Sequence, residues 1–119
     1  MKWIAISGSW REINNKLEKD VRNTVREIIS RGDGIVSGGA LNVDFIAIDE
    51  ALKLDPTAKR IKIFIPATLD IFVIHYRKRT NEGVVTKKQA EDLIAQLTKI
   101  KETNPPSLIE NKNNKTMIN

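Results

Sequence analysis

The chain has 119 residues, of which 40% are hydrophobic and 29% charged, and its formal net charge is +5. It has no cysteine and one histidine, which excludes disulfides, cysteine-ligated metal sites and a His-rich metal site within one chain. No apolar run approaches the roughly 20 residues of a membrane helix, so we predict a cytoplasmic protein with no membrane partner. The positive charge suits a nucleic acid or a phosphorylated small molecule. The alternative is that this charge only keeps the protein soluble.

The first half of the chain alternates between strand and helix patterns. Apolar segments predict strands over residues 3–7, 35–37 and 60–65. Helical spacing predicts a first helix over residues 15–31, which opens with an Asn-capped capping box over 15–18 and ends at the glycines that follow. It also predicts a second helix over residues 43–53. This order predicts an α/β, Rossmann-like, three-layer fold with a parallel sheet of at least three strands, flanked by helices.

Two more helices are predicted in the second half of the chain. Thr68 is placed to cap a helix over residues 69–79, and Thr86 opens a capping box with Gln89 before an amphipathic segment that runs to about residue 100. We therefore expect a nucleotide-binding domain over 1–100, followed over 101–119 by a polar tail or the start of a missing segment.

Three strands are few for a sheet of this class. We therefore expect the chain to be an N-terminal fragment or a domain that a partner completes. The alternative is a small complete domain with a disordered tail.

A glycine pair follows the second predicted strand and precedes the second predicted helix. Orphan N–H groups and the helix dipole at such a place favour phosphate, and glycine lets a ligand approach the backbone. We predict an anion-binding turn formed by Ser37, Gly38, Gly39 and Ala40, although it matches neither the dinucleotide fingerprint nor a Walker loop. The alternative is a tight turn without a ligand. If the turn binds a nucleotide, we expect Gly39→Asp to abolish binding without unfolding the domain.

A second polar turn follows the first strand and, in a parallel sheet, emerges at the same edge. Its Gly8 backbone, Ser9 hydroxyl and Arg11 guanidinium are groups that surround phosphates. Trp10 has two equal interpretations, stacking on a base or packing against the next helix.

Three carboxylates lie in the second helix. Asp44, near its start, is a candidate to bind a ribose hydroxyl or an amine, although stabilising the helix dipole is the more common role. Asp49 and Glu50 are predicted to lie on a solvated face.

The last candidate is the mixed aromatic and basic run over residues 75–79. We interpret it as cations at a helix C-terminus in preference to a nucleic-acid contact. No metal site is predicted, and no cofactor other than a nucleotide ligand.

Two segments of the chain resemble the SLOG superfamily of Rossmann-like nucleotide-binding domains. They read Ile6-Ser7-Gly8-Ser9-Trp10-Arg11 and Ile35-Val36-Ser37-Gly38-Gly39-Ala40-Leu41-Asn42-Val43-Asp44. The superfamily includes the DNA-processing protein DprA (Smf) and the "lonely guy" phosphoribohydrolases, formerly called lysine decarboxylase-like (LOG-like). The resemblance covers about residues 2–66. It implies ligand contacts at the two glycine turns and at Asp44.

The chain also departs from these relatives. DprA-like segments usually have glycine where this chain has Asn42, and histidine where it has Ile48. The lonely guy motif Pro-Gly-Gly-x-Gly-Thr-x-x-Glu is absent from the sequence. The resemblance therefore implies first a module that binds a nucleotide or nucleotide-derived ligand. The alternatives are an enzyme that cleaves the N-glycosidic bond of a nucleoside monophosphate and a DprA-like single-stranded DNA-binding protein. Related domains often form dimers, so a homodimer is also expected.

Overall fold

In the computed structural model, which describes residues 1–8 and 13–114, one parallel sheet is flanked by α-helices. The elements of these residues are β1 (Trp3–Ala5), α1 (Asn15–Ser30), β2 (Gly34–Ser37), α2 (Val43–Leu54), β3 (Ile61–Ile65), α3 (Leu69–Asn81), α4 (Lys87–Thr103), a 3-10 turn (Pro105–Ser107) and β4 (Leu108–Glu110). The strands lie in the order β1-β2-β3-β4, and each neighbouring pair is parallel. The predicted α/β class, parallel sheet and flanking helices are confirmed.

The two faces of the sheet differ in burial. On β3, Ile61, Ile63 and Ile65 are buried and belong to the same apolar core as the helices, whereas Phe64 is 51% exposed. Lys62, on the same side of the strand as Phe64, places its ammonium group 4.2 Å from the ring centroid of Trp3. Helices of the described residues therefore cover one face of the sheet and leave the Phe64 face open. This is consistent with a Rossmann-like arrangement that is incomplete on one side.

The helix boundaries follow local capping chemistry. The α1 cap is Asn14, whose side chain accepts a hydrogen bond from the Leu17 N–H at 2.8 Å. The capping box predicted over residues 15–18 was therefore wrong: the cap lies one residue earlier, and Leu17 at the third helical position has no side-chain acceptor to complete a box. The predicted caps of α3 and α4 are confirmed, because Thr68 accepts from the Ile71 N–H and Thr86 forms a reciprocal capping box.

Helix α2 lies at the centre of the helical layer, and it is buried on most sides. Its Glu50 is only 3% exposed and accepts hydrogen bonds from Arg22 at 3.0 Å and Arg26 at 2.8 Å, both on α1. The prediction that Glu50 lies on a solvated face was wrong, because these two guanidinium groups satisfy its charge inside the helix interface. Asp49 is partly exposed and pairs with Arg22 and Lys53.

The fourth strand was not predicted from the sequence. The chain from Lys101 onward, expected to be a polar tail or the start of a missing segment, continues α4 to Thr103 and then adds β4 to the sheet beside β3. Glu110 at the end of β4 accepts a hydrogen bond from the Leu69 N–H at 2.7 Å, and so satisfies a donor in the first turn of α3. Residues 101–110 are therefore part of the folded domain.

Candidate functional site

The turns after β1 and β2 lie side by side at the carboxyl edge of the sheet. The two strands are parallel neighbours, and the Ile6 N–H continues their pairing by donating to the Val36 carbonyl at 2.9 Å. A Cβ added to Gly8 would lie 3.0 Å from both γ-carbons of Val43, the first residue of α2. The first turn therefore rests directly on the start of α2. Ser9, Trp10 and Arg11 lie outside the described residues.

The two glycines of the second turn have different environments. Gly39 has φ of +70°, is buried, and a Cβ there would lie 2.8 Å from Ile65 Cγ2 and 3.1 Å from Ile63 Cγ2. Gly38 is exposed, and a Cβ there would have one close neighbour, Asp44 Oδ2 at 3.3 Å. Gly39 thus serves close packing on the sheet, and Gly38 presents its backbone outward. The expectation that Gly39→Asp would spare the fold is wrong, because the carboxylate would be driven into the core.

The Asp44 carboxylate lies beneath this turn. Asp44 is 5% exposed, and its Oδ2 accepts a hydrogen bond from the Ala40 N–H at 3.2 Å. Burial raises the pKa of this carboxyl above its usual value, and outweighs the opposing effects of the Ala40 N–H, the Ser37 hydroxyl and the Gly38 N–H. Among the described residues, Asp44 Oδ1 and Ser37 Oγ are buried without a hydrogen-bond partner in good geometry. The site therefore holds unused hydrogen-bonding capacity just behind Gly38.

The turn reaches α2 through Asn42. This residue has φ of +61° and makes no side-chain capping bond to the helix. Positive φ is free of strain for glycine and is better tolerated by asparagine than by most residues. With ψ of −107°, however, Asn42 lies outside the left-handed helical region in which asparagine is tolerated, so the glycine of the resembling segments would suit this backbone better.

Cavities lie on both sides of the two turns. One, of about 380 Å³, borders Gly8 and is open toward α1. Its lining comprises Ala5, Ile6, Ser7, Gly8, Leu17, Asp20, Val21, Thr24 and Val43. A second, of about 360 Å³, is lined by Ala40, Leu41, His75, Tyr76, Arg79, Val84 and Val85. The predicted residues Gly8 and Ala40 each line one of these spaces.

Tyr76 is a neighbour of the site that the sequence did not reveal. Burial and the nearby negative charge of Asp44 raise the pKa of its phenol. Its ring contacts Phe72, with a centroid distance of 4.7 Å. Its position depends on how α3 packs beside α4, for which the run over residues 75–79 carries no local signal.

The two arginines of that run are paired with carboxylates. Arg77 contacts Glu91 at 3.1 Å, and Arg79 contacts Glu82 at 2.5 Å. These pairs are solvent-exposed, so each contributes little to stability. Arg77 lies beside Thr80, Asn81 and Lys87, where another cavity opens on the surface.

No protein-family model, curated protein or solved structure matches this chain. Within residues 1–8 and 13–114, no cluster of three or more metal-ligating side chains occurs. No helix in the described part of the chain combines the length and apolar character needed to cross a membrane.

Proposed function

We propose that the chain is a binding module for a nucleotide or nucleotide-derived ligand. The observation that carries this proposal is the adjacency of the two glycine turns, in which Gly8 rests on Val43 and Gly38 faces outward at the same edge. Ligands of parallel α/β sheets bind outside the carboxyl ends of the strands, which is where these turns lie.

The backbone of the second turn is accessible in the way that phosphate or ribose recognition needs. Gly38 has no side chain to shield its peptide groups, and Gly39 holds the turn close to the sheet. The molecule as a whole carries a net charge of +5, which favours an anionic ligand. A nucleotide has both an anionic part and hydrogen-bonding hydroxyl and amino groups, and it fits this combination better than a simple anion.

Calorimetric titration with AMP, GMP, CMP and UMP tests the proposal, with Gly38→Val as the blocking variant. The added side chain meets only Asp44 at close range, so we expect the fold to persist and affinity to fall at least about tenfold. Ser30→Val, at an exposed position at the end of α1, is the matched control. Failure of all four nucleotides to bind the parent protein would refute the proposal.

A second candidate function is cleavage of an N-glycosidic bond, which the raised pKa of the Asp44 carboxyl favours because a general acid needs such a shift. Glu50, the other buried carboxylate of α2, is held in ion pairs with Arg26 and Arg22, which lower its pKa against the effect of burial. Release of free base from AMP by the parent protein, lost in Asp44→Asn, would support this activity. A stable complex without release of base would leave the binding function alone.

A further inference from the structure

The start of α2 already holds an anion supplied by the chain itself. Asp44 lies in the first turn of α2, and its Oδ2 accepts the Ala40 N–H at 3.2 Å. A carboxylate at this place offsets the positive end of the helix dipole. A ligand phosphate laid over the same N–H groups would therefore face a buried like charge.

Resting on the proposed function, we infer that Asp44 and Ser37 form a subsite for an uncharged hydrogen-bond donor of the ligand. The donor is a hydroxyl of the sugar or an amino group of the base, and the phosphate lies away from the start of α2. The ligand class is thus a nucleoside or nucleotide that presents such a donor, in contrast to inorganic phosphate or a simple phosphorylated metabolite.

The unused acceptors carry this inference. Asp44 Oδ1 and Ser37 Oγ are each buried, in residues 5% and 4% exposed. The Ser37 hydroxyl is near enough to Asp44 to lower its pKa, but neither of the two atoms makes a hydrogen bond of good geometry among the described residues. An ionised carboxylate accepts up to four hydrogen bonds and donates none, so its natural complement is a donor. Buried polar groups in folded proteins are normally paired, and those that are not call for a partner.

The access route is the missing side chain of Gly38. A Cβ at that position would lie 3.3 Å from Asp44 Oδ2, so the glycine leaves an approach to this oxygen from the exposed side of the turn. Ala40, next but one in the turn, lines the cavity that Tyr76 and Arg79 also border. A ligand group entering beside Gly38 meets Oδ2 first, and it reaches Oδ1 by rotation of the carboxylate about the Cβ–Cγ bond of Asp44.

The electrostatics of Asp44 agree with a donor ligand. Burial raises the pKa of the carboxyl, so the site gains most from a partner that stabilises the ionised form. A hydroxyl or amino donor does this, and a phosphate does the opposite.

The test uses calorimetric titration of the parent protein with AMP and with three analogues. 2′-deoxy-AMP and 3′-deoxy-AMP each lack one sugar hydroxyl, and IMP has a carbonyl oxygen in place of the 6-amino group and a new N1–H donor. We expect one analogue to bind at least about tenfold more weakly than AMP, because a site built to hydrogen-bond a group rejects the analogue without it. The deoxy analogues report on the sugar and IMP on the base amine. Equal affinity for all four compounds would overturn the inference while leaving nucleotide binding intact.

The matched variants are Asp44→Ala and Ser37→Ala, each checked for folding by thermal melting. In Asp44→Ala the discrimination found in the parent should fall toward unity, because the acceptor is gone. If Asp44→Ala does not fold, Ser37→Ala should still reduce the ratio of the affinity for AMP to the affinity for the discriminated analogue. Unchanged discrimination in a folded Asp44→Ala would overturn the inference.

Inorganic phosphate is the third arm of the test. We expect it to bind the parent protein more weakly than Asp44→Asn, in which the like charge is removed. Tighter binding of phosphate by the parent would contradict the subsite. Failure of AMP, GMP, CMP and UMP alike to bind would remove the proposed function, and the inference with it.

Discussion

The backbone N–H of Ala40 donates a hydrogen bond to Asp44 Oδ2 across 3.2 Å, and so ties the glycine turn to the first turn of α2. The bond orders a loop that has few other anchors, and it uses one of the donors that a phosphate would otherwise bind. It also keeps a carboxylate buried at a cost in stability, because burial opposes the ionised form. Such a cost is common at functional sites.

Asp44→Asn should be more stable than the parent protein at pH 7. The folded-state pKa of Asp44 is raised, so its contribution to stability is present below the unfolded-state pKa of about 3.9 and is lost as pH rises through the folded value. Asparagine carries no charge to bury at any pH, whereas Asp44 becomes neutral as the pH falls. The stability advantage of Asp44→Asn over the parent should therefore shrink toward pH 4, and urea denaturation of both proteins at pH 4 and pH 7 measures this difference.

Asp92→Asn, at an exposed site paired with Lys88, is the control and should show no such gain. An Asp44→Asn variant that is less stable than the parent at pH 7 would contradict the burial argument.

Glu50→Gln should lose about 1–3 kcal/mol of unfolding free energy at pH 7, because it weakens hydrogen bonds from Arg22 and Arg26 to a buried charge. The pKa of Glu50 is lowered in the folded state, so its contribution is present above the unfolded value of about 4.3 and is lost as pH falls through the folded pKa. The difference in stability between parent and variant should therefore shrink as the pH falls from 7 to 3, and denaturation curves at both pH values measure it.

The exposed pair Lys88–Asp92 again supplies the comparison, since Asp92→Asn should stay within about 0.5 kcal/mol of the parent. Equal losses for Glu50→Gln and Asp92→Asn would mean that the α1–α2 ion pairs contribute no more than a surface pair.

Gly39→Ala should cost about 3 kcal/mol, from strain at positive φ and from overlap with Ile65. Gly32 has φ of +93° but no atom within 4 Å of an added Cβ, so Gly32→Ala should cost only about 1 kcal/mol. The difference isolates the packing role of Gly39 from its backbone conformation. Thermal or chemical denaturation of both variants measures it, and equal costs would refute that role.

The neighbouring residues Ile63 and Phe64 test which face of the sheet is covered. Ile63 is fully buried, so Ile63→Ala should lose about 2–5 kcal/mol. Phe64 is 51% exposed, so Phe64→Ala should lose less than about 1 kcal/mol in spite of its larger side chain. A larger loss for Phe64→Ala would show that something covers this face in solution.

Local patterns were enough to predict most of the fold. The strands before the two glycine turns, the Thr68 cap and the Thr86 capping box all depend on residues within one turn of each other. β4 escaped prediction because it is three residues long, follows two prolines and is stabilised by pairing with β3, far away in sequence.

The site was predicted less completely than the fold. The positions of Gly8 and Gly38 at one edge followed from parallel topology. The burial of Glu50 did not, because its partners Arg22 and Arg26 lie on another helix. The roles of Gly39 and Tyr76 likewise depend on side chains that only tertiary packing brings near.

The most direct test of nucleotide binding at the glycine turns is a two-dimensional amide NMR titration of the parent protein with AMP. We predict saturable shifts of the Gly8, Gly38 and Ala40 amides, with the Lys62 and Phe64 amides on the open face unchanged. Absence of saturable shifts at the two turns, or shifts confined to the open face, would contradict the account.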